Sequence, residues 1–572
     1  MMNRFRPIIL AFAVVAAGLL AYGLFTQPTP KSADAEGFSA ARVVEDIAVI
    51  SKDHHSVAHP QERAQVREYL IDRLEGLGAD TVMTFRYDSL VGPENRHVEY
   101  TFDAHDILAE FAPLEGTGNS PYLMMVAHYD SRYSQPMPKD TVWSYGAADD
   151  GYGLGVTLEV VSQLLKDRKE WKQGVKVLFT DAEEVGMMGM KAILQNDKHV
   201  FDNVGLMINL EARGTYGPVL LFETCPGNEK VMDLYADAAK YPYTYSLTTT
   251  VYKFMPMYTD FTAVKDEIPG LNFSNIADVN HYHTDLDNFS NISEKTIQHY
   301  GAQVLPVAKA YVTGDFQDKD AFKAEKDTVN FTVPGLGLFN FSKTSYLIIN
   351  IVLALVFFLL FGFEVLRGRL NVAKVLKTSG IMLVLAVAVL AFGELIGYLS
   401  AIAAGAKFKP FGTVMGVSYD NVVMIVSTAA LVLASSMIYA SIRRTTVRRT
   451  AASMRHSAGV AAASKNAFVF LYGTLFLMTV LALVLVFALG ENLMFFIPLF
   501  CATLAVILWH VTSLKVWLLA AIVFILLHAF SFLFALTMAL TIGAYGAVAM
   551  LAFFDLMVLI PLADLYLTER RK

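Results

Sequence analysis

His128 after YLMMVA, Asp149 in GAADDG, Glu184 after VKVLFTDAE, Glu211 after VGLMINL and His283 in HYHT all sit where apolar runs of strand length break into loops. Imidazole and carboxylate are the donors catalytic zinc takes while keeping a position open for water, so the set predicts hydrolysis at a pair of metals. No thiolate competes for the metal. The two cysteines are Cys225 and Cys501, the second inside an apolar run, which excludes a cysteine-rich zinc site and a disulfide scaffold.

Ligands so far apart in sequence meet only if a sheet gathers them. In an open α/β sheet the C-terminal ends of parallel strands converge on one crevice, and side chains just past those ends share it. The acidic part of the chain alternates strand and helix patterns. YLMMVA, VKVLFT, VGLMINL, PVLLFE and PGLNFSNI read as strands, and Gly151 to Lys166 as a buried helix. Residues 59–77 read as an amphipathic helix with Val66, Leu70, Leu74 and Leu77 on one face. The expected class is α/β, a mixed, mostly parallel sheet with helices on both faces.

Singly, each candidate has an ordinary alternative. Asp149 and Asp150 adjoin glycines as turn residues do, Glu183 and Glu184 could be plain loop charges, and His281 competes with His283. Glu211 is harder to set aside, because a carboxylate directly after VGLMINL enters a buried position and needs a partner.

The chain of 572 residues is 54% hydrophobic, with a mean hydropathy of +0.42. Charge is unevenly spread. Residues 31–342 carry 46 acidic and 27 basic side chains, whereas residues 343–572 carry 7 acidic and 17 basic ones. So acidic a domain argues against nucleic acid as a partner. Apolar runs cover Pro7 to Phe25 and then 345–365, 379–404, 421–441, 467–489, 493–511, 516–536 and 541–565. Each approaches the roughly 20 residues that cross a bilayer, so about eight spans are expected. The positive residues Arg4 and Arg6, Arg367, Arg369, Lys374 and Lys377, then Arg443, Arg444, Arg448, Arg449, Arg455 and Lys465, and finally Arg570, Arg571 and Lys572 mark the cytoplasmic side. Only Lys407 and Lys409 dissent. The acidic domain is therefore expected outside the cytoplasm. Ala33-Asp34-Ala35 could mark a signal-peptide cleavage site, but the long first run favours an uncleaved anchor.

VAHYDS, GAADDGYGLG, TDAEEVGMMG, INLEARGT and HYHTDLD occur in the order found in metallopeptidase family 28, the co-catalytic di-zinc aminopeptidases, and roughly residues 40–312 carry that resemblance. The chain most resembles the membrane-bound branch, which includes the endoplasmic reticulum metallopeptidase and the vacuolar membrane protease, because a peptidase domain lies between one span and many. That branch also has Glu where soluble members have Asp in the INLEARG motif. The shorter membrane half suggests a bacterial member, with the peptidase in the periplasm, or in a lumen if the source is eukaryotic. The implied layout is an anchor at 1–30, an extracytoplasmic zinc peptidase domain at 31–315, a linker at 316–342 and a transmembrane domain of about seven helices at 343–572.

The resemblance implies two zinc ions per chain. Asp149 would bridge them, with His128 and Glu211 on one and Glu184 and His283 on the other. It prefers His283 to His281 through the YHT context. It makes Glu183 the general base, has the Asp130 carboxylate orient the His128 ring, and gives Tyr282 a place at the oxyanion. The implied substrates are peptides, cleaved at their N-termini as by an aminopeptidase or dipeptidase. Arg213 could take a substrate carboxylate, and Phe254 to Phe261, with Tyr258 and Asp260, is expected near the pocket. Two other classes compete: a glutaminyl cyclase-like transferase, since HYDS also occurs there, and a non-catalytic receptor, chaperone or transporter. For transport the signal is Glu394, His528 and Asp555 inside apolar runs. Pro498 and Pro561 are expected to kink helices. The sequence sets no oligomeric state.

Overall fold

The strands that carry the candidate ligands are wholly buried, and four of them lie parallel at the centre of a seven-stranded sheet. The computed structural model describes residues 2–24, 27–92, 101–115, 120–136, 141–252, 258–451 and 456–568. The chain divides into two units, one of Thr26–Thr332 with Gly337–Ser342, the other of Met1–Phe25, Val333–Leu336 and Lys343–Lys572.

In chain order the first unit contains α2 (Ala40–Ile50), α3 (Pro60–Gly76), β1 (Thr81–Val91), β2 (Thr101–Phe111), β3 (Tyr122–His128), the short β4 (Gln135–Pro136) and β5 (Thr141–Val142), α4 (Gly151–Leu165) and β6 (Gly174–Thr180). After these come α5 (Met188–Asn196), β7 (Val204–Ala212), β8 (Tyr216–Thr224), α6 (Glu229–Ala238), α7 (Ser246–Tyr252), β9 (Gly270–Ala277), α8 (Glu294–Thr313), β10 (Thr328–Val333) and β11 (Gly337–Ser342). The helix preceding them, α1 (Met2–Leu24), belongs to the second unit.

Strand order in the sheet is β1-β2-β6-β3-β7-β9-β8. The pairs β6-β3, β3-β7 and β7-β9 are parallel, while β1-β2, β2-β6 and β8-β9 are antiparallel. The class is the mixed α/β sheet expected, with the parallel pairing confined to its centre. Those central strands are continuous apolar runs because both their faces are covered. β1 and β2 were not among the expected strands. β1 is a half-exposed edge in which charged and apolar residues mix, so its signal is weak.

α2, α4 and α8 pack together over β3 and β7, and α5 packs over β1 and β2. α4 is buried almost from end to end, which is why its sequence has no polar face. Its N-cap is Asp150, whose carboxylate accepts the N–H of Gly153 at 3.1 Å. A Cβ at Gly153 would lie 2.2 Å from that carboxylate, so glycine lets the cap close.

The expected linker at 316–342 is in part structured. β10 and β11 form a hairpin, and β10 is buried. Thr332 N–H donates to Thr244 O at 3.0 Å, and Asn330 N–H to Ser246 Oγ at 3.2 Å. The β-branched and aromatic run TVNFTV has the composition of a strand, and burial against the first unit realises it.

The second unit joins α1 to α9 (Lys343–Leu366), α10 (Val372–Ala404), α11 (Asp420–Ala451), α12 (His456–Leu489), α13 (Leu493–Thr512), α14 (Val516–Leu540) and α15 (Tyr545–Thr568). Among the described residues six stretches are long and apolar enough to cross a membrane, one of them running through both α14 and α15. The apolar part of α1, Phe5–Ala21, is shorter. Large side chains face outward, with Leu359 74%, Val384 68% and Met437 71% exposed, a surface that lipid rather than water satisfies. α10 and α15 cross closely, since a Cβ at Gly393 would lie 2.5 Å from Gly546 Cα. Polar groups inside pair with one another: Tyr346 Oη donates to Asn492 Oδ1 at 2.7 Å, and Asn492 Nδ2 to Asn350 Oδ1 at 2.7 Å. His528 and Asp555 are buried in α14 and α15, and Glu394 of α10 lies beside Gly546. Pro498 lies inside α13 and Pro561 inside α15. Arg4, Arg443, Arg444, Arg448, Arg449, Arg455, Lys465, Arg570, Arg571 and Lys572, on which much of the expected orientation rests, lie outside the residues whose side chains are described.

Candidate metal centre

Because the central strands run in parallel, their C-terminal ends share one edge of the sheet. His128 is the last residue of β3 and Glu211 the next to last of β7. Glu183 and Glu184 follow β6 directly, His283 follows β9, and Asp149 precedes α4.

His128, Asp149 and Glu211 each offer an atom to a group whose donors lie within 4.8 Å of one another, as do Asp149, Glu184 and His283. His128 Nε2 is 3.3 Å from Asp149 Oδ1 and 3.8 Å from Glu211 Oε2. His283 Nε2 is 3.3 Å from Asp149 Oδ2 and 3.1 Å from Glu184 Oε1. The two oxygens of Asp149 thus face different histidines. Asp149 Oδ2, Glu184 Oε1 and His283 Nε2 are buried and make no hydrogen bond among the described residues. Three orphaned polar atoms turned toward one another fit a cation rather than one another.

Electrostatics point the same way. Burial, reinforced by Asp149 and opposed by His128, pushes Glu211 up to about 8. Burial and the neighbouring Glu211 raise Glu183 well above the usual carboxylate range. Glu184 is held well below it, because His283 and Arg132 outweigh its burial. Burial disfavours a charged His128, yet Asp130 and Asp149 hold its pKa well above the usual histidine range. The cluster holds protons that divalent cations would displace.

A surrounding shell fixes these groups. His128 Nδ1 is 2.9 Å from the Asp130 carbonyl oxygen and 3.5 Å from its carboxylate. The backbone oxygen is thus the nearer partner of the ring, with the expected carboxylate beside it. The Asp130 carboxylate also accepts the N–H groups of Glu183 at 2.9 Å and Glu184 at 3.2 Å. Asp287, in the HYHTDLD motif, accepts from Ser144 Oγ at 2.9 Å, Ala148 N–H at 2.7 Å and Asp149 N–H at 3.3 Å, which fastens the Asp149 loop. Arg132 Nη1 reaches Glu184 O at 2.7 Å and Oε2 at 3.1 Å.

A buried polar ladder leads away from Glu211. Asn209 Nδ2 donates to Glu211 Oε1 at 3.2 Å and to Asn272 Oδ1 at 3.0 Å. Asn272 Nδ2 donates to Glu223 Oε2 at 3.1 Å and Thr259 Oγ1 at 3.0 Å, and Lys265 Nζ closes on Glu223 Oε1.

His281 belongs to neither donor group, since its Nδ1 pairs with Thr215 Oγ1 at 2.8 Å. The Tyr282 ring stacks on His283 with centroids 3.6 Å apart. Asp260 is buried, bonded to Thr180 Oγ1 and pushed up to about 6 by burial. Burial lowers the Arg213 pKa, with Tyr282 and Tyr252 opposing the shift. Phe254 to Met257 lie outside the described residues.

The sequence matches Peptidase family M28 over residues 109–308, a shorter stretch than the motifs led us to expect. It is 27% identical over 269 residues to endoplasmic reticulum metallopeptidase 1 of Mus musculus, covering 46% of this chain and 28% of that protein. It is 28% identical over 253 residues to the vacuolar membrane protease of Candida tropicalis, covering 44% of this chain and 26% of that one. The matches thus span well under half the length of these relatives. A Zn-dependent exopeptidase from Parabacteroides distasonis aligns at 19% identity and a TM-score of 0.38, covering 48% of this chain and 98% of that one. A glutaminyl cyclase from Porphyromonas gingivalis aligns at 18% and 0.39, covering 49% and 100%. Residues 109–308 thus match Peptidase family M28, in a chain that is similar over this part to endoplasmic reticulum metallopeptidase 1 and the vacuolar membrane protease and that carries, among its described residues, six stretches long and apolar enough to cross a membrane.

Proposed function

We propose that this chain is a membrane-anchored zinc exopeptidase of the aminopeptidase or dipeptidase type, cleaving peptides outside the cytoplasm. The observation that carries the reading is the pair of donor groups sharing Asp149. In this reading His128 and Glu211 would hold one zinc and Glu184 and His283 the other, with Asp149 contributing a carboxylate oxygen to each group. Zinc in such a site acidifies water and polarises a carbonyl.

Glu183 takes the proton of the attacking water and returns it to the departing amine. Its burial favours the neutral carboxyl, which suits a group that keeps a proton until the amine departs. The Asp130 carboxylate, bonded to the Glu183 N–H, keeps that side chain on station. The Tyr282 phenol, kept protonated by burial, donates to the carbonyl oxygen as that oxygen gains charge. Arg132 and Asp287 hold Glu184 and the Asp149 loop against the repulsion of neighbouring carboxylates.

The distribution of Arg4, Arg6 and Arg367 to Lys377 supports a peptidase unit facing the periplasm of a bacterium, or a lumen. Metal analysis and peptide hydrolysis by the full chain in detergent test the reading. Two zinc ions in both the wild type and Glu183→Gln, with release of N-terminal residues by the wild type alone, are expected. Cyclisation of glutaminyl peptides without release of amino acids would overturn it.

A further inference from the structure

Beside the candidate metal centre stands a group of aromatic rings outside the proposed donor set, of which Tyr133 packs on the edge of a small apolar cluster with Val57, Phe102 and Val185. His54 and Tyr145 have ring centroids 4.1 Å apart, His59 and Trp143 5.1 Å, His54 and His59 5.5 Å, and Tyr133 and Trp143 5.9 Å. All five rings are only partly buried, whereas Ser131, Ser144 and Gly146 beneath them are fully buried. A cluster whose feet are buried and whose rings are partly exposed forms an outward-facing edge of the fold.

Its feet are tied to the ligand loops. Ser144 Oγ donates to Asp287, the carboxylate that also fastens Asp149, so Tyr145 is anchored four residues from a proposed metal ligand. His55 N–H donates to Ser131 Oγ at 3.1 Å, three residues past His128. Gly146, at φ +63°, is pressed between these two segments, and a Cβ there would lie 3.0 Å from Ser131 Cβ and 3.1 Å from the His55 ring. The His54 ring also feels the charge of Asp285, two residues past His283. The rings therefore border the site on the side of Asp149 and His283.

Their chemistry is apolar with one polar opening. Burial lowers the pKa of both His54 and His59, with His59 adding to the effect at His54, so the imidazoles are neutral near pH 7. Neutral rings present flat faces for offset or edge-on stacking. His54 Nε2 is buried and has no hydrogen-bond partner, leaving a polar atom for a peptide amide.

We propose that His54, Trp143 and Tyr145, backed by His59 and Tyr133, form a specificity wall that receives an aromatic or large aliphatic side chain of the peptide, next to the scissile bond. The proposal rests on the peptidase reading above and names the substrates that reading leaves open. The wall selects peptides bearing Phe, Trp or Leu over those bearing Ala or Gly.

The test uses the full chain in detergent with two dipeptide series, X-Ala and Ala-X, where X is Ala, Leu, Phe or Trp. In one of the two series, kcat/KM should favour Phe over Ala. That preference should fall about tenfold in Trp143→Ala and Tyr145→Ala and largely return in Trp143→Phe. His54→Ala removes a half-exposed ring and serves if the larger truncations fail to fold, as judged by melting temperature. Glu183-dependent hydrolysis with the same Phe-to-Ala ratio in the wild type and every folded variant would overturn the wall while leaving the peptidase reading intact. No Glu183-dependent hydrolysis of either series would sink that reading, and the wall with it.

Discussion

The carboxylate of Asp130 accepts the backbone N–H of Glu183 at 2.9 Å, so the residue two places past one proposed ligand holds the loop that carries the base and another ligand. Asp130→Ala strands two N–H groups, at a cost of about 1–3 kcal/mol for each one left buried. We expect kcat/KM and zinc affinity each to fall roughly 10- to 100-fold, with His128 still oriented by the backbone carbonyl. Activity assays and metal titration check this, and unchanged zinc affinity would count against it.

Sharing of Asp149 has a stoichiometric signature. If two zinc ions bind as proposed, Asp149→Ala should remove both, whereas His283→Ala should leave one, held by His128, Asp149 and Glu211. Elemental analysis of purified variants distinguishes these outcomes. Equal loss in both variants would mean the two positions do not fill independently.

Chelation should destabilise the peptidase unit. With zinc about a thousandfold above its Kd, binding contributes roughly 4 kcal/mol to the folded state. Its removal should lower the melting temperature by on the order of 10 °C, and added zinc should restore it. A melting curve insensitive to chelator would argue against structural coupling of the metals.

His299 predicts a separate response to acid. It is buried, its Nδ1 accepts the Val219 N–H at 3.0 Å, and its Nε2 lies 2.9 Å from Tyr241 O, an arrangement that fits the neutral ring. Burial lowers its pKa from 6.5 to about 4. Above pH 6.5 neither folded nor unfolded chain is protonated there and the group is silent. Between about 6.5 and 4 the unfolded chain takes up a proton that the folded one refuses, so stability falls as pH falls, by up to roughly 3 kcal/mol. Chemical denaturation at pH 7, 5.5 and 4.5 should show this slope, and His299→Gln should flatten it by about one proton.

What the sequence reveals is what strand ends reveal. His128 and Glu211 close apolar runs, and a carboxylate at the end of a buried strand announces itself through its neighbours alone. α4 and the central strands were legible for the same reason, being mostly apolar. Arg132, Asp287 and Asn209 were not, because their partners are fixed by how distant loops meet: Asp287 and Ala148 are 139 residues apart. The wall of His54, Trp143 and Tyr145 escaped notice for the same cause. Asp130 shows the limit from the other side, since its spacing marked it as a neighbour of His128 but not that its carbonyl oxygen would lie nearer the ring than its carboxylate.

The ladder from Glu211 to Lys265 leaves no room for isosteric trade. Every amide hydrogen of Asn209 and Asn272 already has an acceptor. Leucine, nearly the same shape, would take a donor from Glu211 or Glu223, which lie on β7 and β8 with β9 between them, and aspartate would add a third acid. The identity of two plain asparagines is thus set by the glutamates at the two ends of the ladder.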